Sequence, residues 1–299
     1  MAKQLEQGVL KGVSRSFYLS LRFLPKGFRR PASLGYLLAR ISDTVADSED
    51  VPVAERERLL EDFQACVANA SASLPSLAIF PSKVATAKEQ ILLKNGDRCL
   101  ATVGELPAWQ QRAVRKVVET ITDGQLWDLR RFGTNPDKVV ELANAAELKN
   151  YTYQVAGCVG EFWTELAIGL NRFPSDLEAA MVLKGRHYGQ ALQLINILRD
   201  TERDRRLGRC YLPGGDTEAE RRRWTEQARD WLEEGEWYCQ RLRGKRLRFS
   251  SWLPLLIGRC TLDLLSQKND GSPQKITRRE LKREMRRALK LALKKPIPS

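Results

Sequence analysis

Long proline-free stretches with apolar residues near a 3.6-residue period constrain this chain more than any other feature. Gln90–Thr102, Ala108–Arg131, Asp176–Arg206 and Thr217–Arg243 all carry that pattern, which gathers apolar side chains on one helical face. Prolines stand where such segments should end, at Pro25, Pro31, Pro52, Pro107, Pro136, Pro174 and Pro213, because a helix interior rejects proline. Asn135-Pro136-Asp137 reads as a helix start. Signals for strands are missing: Asn95-Gly96 lies between helix-like segments rather than alternating runs. No G-x-G-x-x-G follows a strand, and no repeat of fixed period appears. No long polar linker divides the chain. The expectation is an all-α chain, with one compact helical domain over residues 1–276 and a basic C-terminal helix and tail over residues 277–299.

Composition narrows the function classes. At 42% apolar and 29% charged residues, the chain is balanced as a globular protein rather than a disordered one. The longest apolar run near the C-terminus, Trp252–Ile257, falls far short of the roughly 18 residues a membrane span needs. The polar opening Met1–Glu6 predicts no export signal, so a soluble, cytoplasmic protein is expected. Six scattered cysteines include no C-x-x-C pair, which argues against a zinc or redox site. The only histidine, His187, lacks a G-x-S-x-G companion and reads as structural. A net charge of +13 calls for an anionic partner: nucleic acid, anionic lipid or a phosphorylated small molecule. The runs Arg203-Asp204-Arg205-Arg206 and Arg221-Arg222-Arg223 would serve nucleic-acid binding. No nucleic-acid-binding motif accompanies them, so no nucleic-acid partner is expected.

Two segments place acids on otherwise apolar helices. Asp43 and Asp47 are four residues apart and share a face with Arg40. Asn196, Asp200 and Asp204 form an i, i+4, i+8 row of oxygen ligands that Gln193 extends, with Arg199 beside it. Like charges at that spacing destabilise a helix by a few tenths of a kcal/mol. Something should offset this, and Mg²⁺ would, because it takes one or two carboxylates together with phosphate oxygens. A diphosphate held by metal between two such helices would receive further hydrogen bonds from Arg40 and Arg199.

The motifs, in order, resemble those of the squalene/phytoene synthase family. Ser14-Arg15-Ser16-Phe17 is similar to the family's opening serine motif, and Arg40 to Asp47 to its first aspartate motif. Tyr151-Thr152-Tyr153-Gln154-Val155-Ala156-Gly157-Cys158-Val159-Gly160 resembles the central motif. Gln190 to Asp204 with Gly208 to Pro213 resembles the second aspartate motif and its following loop. The resemblance implies an isoprenoid synthase fold with a central cavity between helices and the two Asp-rich helices at its mouth. It also implies that Asp43, Asp47, Asn196, Asp200 and Asp204 hold Mg²⁺. Ser16, Tyr36, Arg40, Gln193 and Arg199 would contact substrate, and Tyr151 would be the mechanistic tyrosine. Ala46 and Arg203 stand where squalene synthases usually carry an extra acid.

The implied reaction is head-to-head condensation of two farnesyl diphosphates through presqualene diphosphate to squalene. The wording of the Asp43 and Val155 motifs is closer to squalene synthases, and Lys275 and Arg278 lie in a stretch such enzymes use near NADPH. Phytoene synthases are basic there too. Phytoene or dehydrosqualene as product, and a reaction that stops at presqualene diphosphate, therefore stay open, and with them the use of NADPH. In the tail, Leu281, Met285, Leu289 and Leu293 recur every four residues among many Lys and Arg. That pattern predicts a surface helix from Thr277 to Lys295. The helix either contacts an anionic membrane peripherally or packs on the protein's own core.

Overall fold

A computed structural model describes residues 17–69, 74, 87–133, 138–267 and 276–297. Two compact units emerge. One runs to Thr134 without Phe23–Pro25; the other comprises Phe23–Pro25 and the chain from Asn135.

After α1 (Phe17–Phe23), the first unit is built from α2 (Lys26–Ala46), α3 (Val53–Ala68), α4 (Ala87–Lys94), α5 (Gly96–Gly104) and α6 (Ala108–Phe132). Helix α2 is the hub, packing on each of the other four. It buries Phe28, Leu34, Leu38, Ile41 and Val45, the one-sided stripe expected of an amphipathic helix. Two sequence expectations are corrected here. Pro31 does not end a helix but lies inside α2. Its ring nitrogen cannot bond the Gly27 carbonyl, and the buried Gln110 side chain of α6 donates to that carbonyl instead, at 3.3 Å. The proposed helix Gln90–Thr102 is also two helices, broken at Asn95. A Cβ on Gly96 would come within 2.8 Å of Leu74 Cδ1, so the glycine lets backbone and neighbour approach closely.

The second unit begins, after the helix start proposed at Asn135–Asp137 (which lies outside the described residues), with β1 (Val140–Glu141). Then come α7 (Ala145–Thr152), a π-helical turn (Tyr153–Gly157), α8 (Cys158–Gly169) and a 3₁₀ turn (Ser175–Leu177). Helix α9 (Glu178–Arg206), β2 (Arg209–Cys210), α10 (Glu218–Arg241), α11 (Lys245–Gln267) and α12 (Arg278–Leu293) complete it. The ends match local chemistry. Asn144 accepts from the amides of Ala146 and Glu147, Thr217 caps α10, and Thr277 with Glu280 forms a capping box on α12. Helix α9 packs on α8, α10 and α11 around the buried Trp224, Tyr238 and Trp252. His187 is held by Glu234 at 2.9 Å and stacks on Trp231.

Helix α12 packs on α11 through Glu284, Ala288 and Ala292. Buried Arg248 of α11 fastens it, donating to the carbonyls of Gln240, Leu242 and Leu291. The guanidinium thus ties together carbonyls at the ends of α10 and α12, two of which also accept from the amides of Ile297 and Lys294.

Gln110→Leu should destabilise the protein by about 1–2 kcal/mol, because the Gly27 carbonyl loses its donor. Pro31→Ala supplies an amide at that carbonyl, so the same Gln110→Leu change should cost clearly less in its background. Urea denaturation of the four proteins measures the coupling.

Candidate functional site

In the first unit the acids gather at a helix end. Asp43 lies in the last turn of α2, and Asp47 is the first residue past it. The Asp47 amide still donates to the Asp43 carbonyl at 2.9 Å, so both acids keep the helical register expected of them. The C-terminal end of a helix is the negative end of its dipole, and the last turn of α2 contains no basic residue. Arg40, one turn earlier, bonds Asp43 and also Glu89 of α4, the latter at 2.9 Å. Sequence reading missed Glu89, which no local pattern marks. Two carboxylates therefore share one guanidinium. Desolvation, with Asp47 adding to it against the pull of Arg40, pushes the Asp43 carboxyl up to about 6. Burial alone would lower Arg40, but Asp43, Tyr36 and Glu89 raise it above its ordinary value. Tyr36, half-buried on α2, thus lies within electrostatic reach of this guanidinium.

In the second unit the row on α9 again runs into a helix C-terminus. Leu194, Ile195, Ile197, Leu198 and Thr201 are buried. Gln193, Arg199, Asp200 and Asp204 are half-buried and Asn196 is exposed. The polar row thus occupies the face that the core does not cover. Asn196 donates to Gln193 at 3.4 Å. Arg199 grips Asp200 through two bonds of 2.8 and 2.5 Å, and those bonds, outweighing desolvation, raise the guanidinium.

Tyr151 belongs to a different arrangement in the same unit. It is 8% exposed, and its ring stacks on Tyr211 with centroids 4.8 Å apart. The Tyr151 hydroxyl donates to the Tyr211 hydroxyl at 3.4 Å. Tyr211 was not among the expected site residues, although the Gly208–Pro213 segment had been singled out. The link is made by β1 and β2, whose parallel pairing of Val140 with Arg209 ties the approach to α7 to the loop after α9. Gly208, at φ 75°, allows the chain to leave α9 in the left-handed conformation that β2 requires. Directly after α7, the π-helical turn widens the ladder, a feature frequent at functional sites. Gln190 of α9 donates to the Lys149 carbonyl at 2.9 Å there.

Ser16 and Lys275 lie outside the described residues. Arg278 is the exposed first residue of α12. Among the described residues no three His, Cys, Asp or Glu side chains converge as a closed metal site. Each aspartate pair offers two carboxylates, the number that Mg²⁺ takes when phosphate and water complete its shell. Burial and the neighbouring Asp47 disfavour negative charge at Asp43, and the oxygen donors of both sets fit a hard dication.

Three comparisons bear on these clusters. The family model described as squalene/phytoene synthase matches residues 10–286. The chain is 31% identical over 207 residues to a presqualene diphosphate synthase of Rhodopseudomonas palustris, covering 69% of this chain and 60% of that protein. It is 32% identical over 205 residues to a phytoene synthase of Thermus thermophilus, covering 69% and 57%. The chain therefore aligns with less than two thirds of these relatives' own lengths. A solved structure of TcSQS with a ligand superposes with a TM-score of 0.77 at 22% identity, over 98% of this chain and 88% of the other. That likeness concerns the fold.

Asp43→Asn should reveal the charge stress at the end of α2. A carboxyl raised to about 6 in the folded protein penalises folding once the pH exceeds that value. The penalty fades as the pH falls toward the unfolded value of about 4. In metal-free buffer the variant should therefore melt higher than the parent above pH 6, with the difference vanishing near pH 4. Melting followed by circular dichroism across that range measures it.

Proposed function

The chain belongs to the squalene/phytoene synthase family, and on that premise we propose that it joins two farnesyl diphosphates head to head through presqualene diphosphate to squalene. The family's prenyltransferase chemistry and all-α isoprenoid synthase fold are the ground for this. The observation that carries the reading is the pair of aspartate clusters, each in the C-terminal part of its helix and each with an arginine already bonded to one acid. Such clusters are poorly stable alone and well suited to a metal-bound diphosphate.

In this reading Asp43 and Asp47, and separately Asn196, Asp200 and Asp204, are the Mg²⁺ ligands. When bound, Mg²⁺ supplies charge neutralisation to the departing diphosphate. Arg40 and Arg199 add charge-assisted bonds to phosphate oxygens, which requires each to share its carboxylate with the ligand. Tyr36, within electrostatic reach of Arg40, and Gln193, bonded to Asn196, orient the substrate. Tyr151 exchanges a proton at its hydroxyl oxygen. The Tyr211 hydroxyl 3.4 Å away accepts from it and keeps it oriented, while the stacked rings present an apolar surface that excludes water. Arg278, with Lys275, is the proposed contact for NADPH phosphate.

A second reading stops at presqualene diphosphate, and the 31% likeness to a presqualene diphosphate synthase favours it. Incubation with farnesyl diphosphate and Mg²⁺, with and without NADPH, separates the two by product. Squalene formed only with NADPH supports the first. Presqualene diphosphate as end product in both incubations supports the second. Dehydrosqualene as the only product, or phytoene formed when geranylgeranyl diphosphate is supplied while farnesyl diphosphate is left unreacted, would overturn both.

Asp43→Asn, Asp47→Asn, Asp200→Asn and Asp204→Asn should each lower turnover at least about a hundredfold, the scale of losing a key electrostatic stabiliser. Steady-state diphosphate release measures this. Normal turnover in two of the four would remove the metal clusters from the mechanism. Tyr151→Phe should abolish most of the first condensation while leaving substrate binding intact, because the ring remains and only the hydroxyl is lost. Single-turnover formation of presqualene diphosphate, beside a binding titration, is the check.

A further inference from the structure

An apolar groove opens on the second unit, away from Tyr151 and the α9 row in sequence and in its lining. Phe23, at the end of α1, meets Phe249 of α11 edge to face, with centroids 5.1 Å apart. Met285, Leu289, Ala292 and Leu293 of α12 form the other wall, giving a groove of about 350 Å³. Of the seven large apolar side chains exposed among the described residues, three lie here: Phe23 at 43%, Leu289 at 53% and Leu293 at 55%. A pocket for a small ligand hides its lining; this one leaves half of it in water, as a docking surface does.

The rim is cationic. Lys245, Arg246 and Arg286 border the groove, and no acidic residue does. All three are exposed and form no ion pair among the described residues. Arg278, Arg279, Lys282 and Lys290 continue the positive charge along the exposed side of α12. The tail helix is thus not a free amphipathic segment. Its Glu284–Ala288–Ala292 face is occupied by α11, and the Met285–Leu289–Leu293 edge is completed by two phenylalanines from elsewhere in the fold.

We propose that this groove and its basic rim dock the protein on the anionic leaflet of a lipid bilayer, with Phe23, Leu289 and Leu293 inserted among the acyl chains. Charge complementarity selects that occupant. A two-fold contact with a second copy would set Lys245, Arg246 and Arg286 against their own equivalents, whereas a leaflet of anionic headgroups meets all of them at once. The proposal is independent of the prenyltransferase reading and stands or falls without a catalytic assay.

Flotation of the full chain with vesicles tests it. Binding to phosphatidylcholine vesicles containing phosphatidylglycerol should be at least about tenfold stronger than to phosphatidylcholine alone, and should weaken with salt. Leu289→Asp with Leu293→Asp should lower that binding about tenfold or more, with helicity and melting temperature unchanged. Lys245→Gln, Arg246→Gln and Arg286→Gln together should flatten the salt dependence. These three side chains are exposed, so this variant keeps the test intact if the aspartate pair disturbs folding. Absence of vesicle binding by the parent, or binding by both variants equal to the parent's, would overturn the proposal. So would a dimer that Leu289→Asp dissociates in a protein that ignores vesicles, since a second copy would then cover the groove.

Discussion

Helix α9 meets α8 backbone to backbone, and the second unit is organised by that contact. A Cβ on Gly160 would lie 1.8 Å from the Gly185 carbonyl oxygen, so neither helix could approach the other this closely with a side chain in the way. The same closeness continues at Gly189, where a Cβ would lie 2.2 Å from the Ala156 carbonyl of the π-helical turn. Dense packing here fixes the rotation of α9 about its own axis. That rotation turns Leu194, Ile197 and Leu198 into the core and leaves Gln193, Asn196, Asp200 and Asp204 on the uncovered face. It also brings Gln190 to the Lys149 carbonyl beside Tyr151. A bulkier residue at Gly160 would move both the polar row and the tyrosine pair, although it touches neither.

The two aspartate clusters share an electrostatic condition that packing alone would not produce. Each lies where its helix dipole is negative, and each already uses an arginine. At Asp43 the compensation is incomplete, as the raised carboxyl shows. At α9 the last turn carries Arg203, Arg205 and Arg206. Arg205 and Arg206 reach outward to Asp216 and Glu202, while Arg199 holds Asp200. A fold optimised for stability would place a base in the last turn of α2, which has none. In the proposed reading, the acids there are the local cost of a site for a polyanion and its counter-cations.

The C-terminal helix combines two roles that its sequence pattern presents as alternatives. One face is structural, with Ala288 and Ala292 against α11 and Arg248 closing the helix end. The adjoining edge remains open. A helix whose apolar stripe is wider than the surface covering it leaves such an edge. The stripe read every four residues, Leu281 to Leu293, slants around the helix and is only partly covered.

Much of the architecture was legible beforehand because helical periodicity, caps and proline spacing are local properties. Helices α6, α9, α10 and α12 lie within a few residues of their expected spans, and the order of motifs identified the family. The sequence by itself determined the helical class and the four-residue spacing that keeps each aspartate pair on one face. Everything that depends on a distant donor or neighbour was out of reach. Pro31 reads as a terminator until Gln110, 79 positions away along the chain by subtraction, supplies the missing bond. Asn95 divides a continuous pattern into two helices, and Gly96 beside it leaves room for Leu74 from elsewhere in the chain. Tyr211 joins Tyr151 only through the two-residue strands. Periodicity reports which face of a helix is apolar; only tertiary structure decides what covers that face, and therefore which polar groups remain to act.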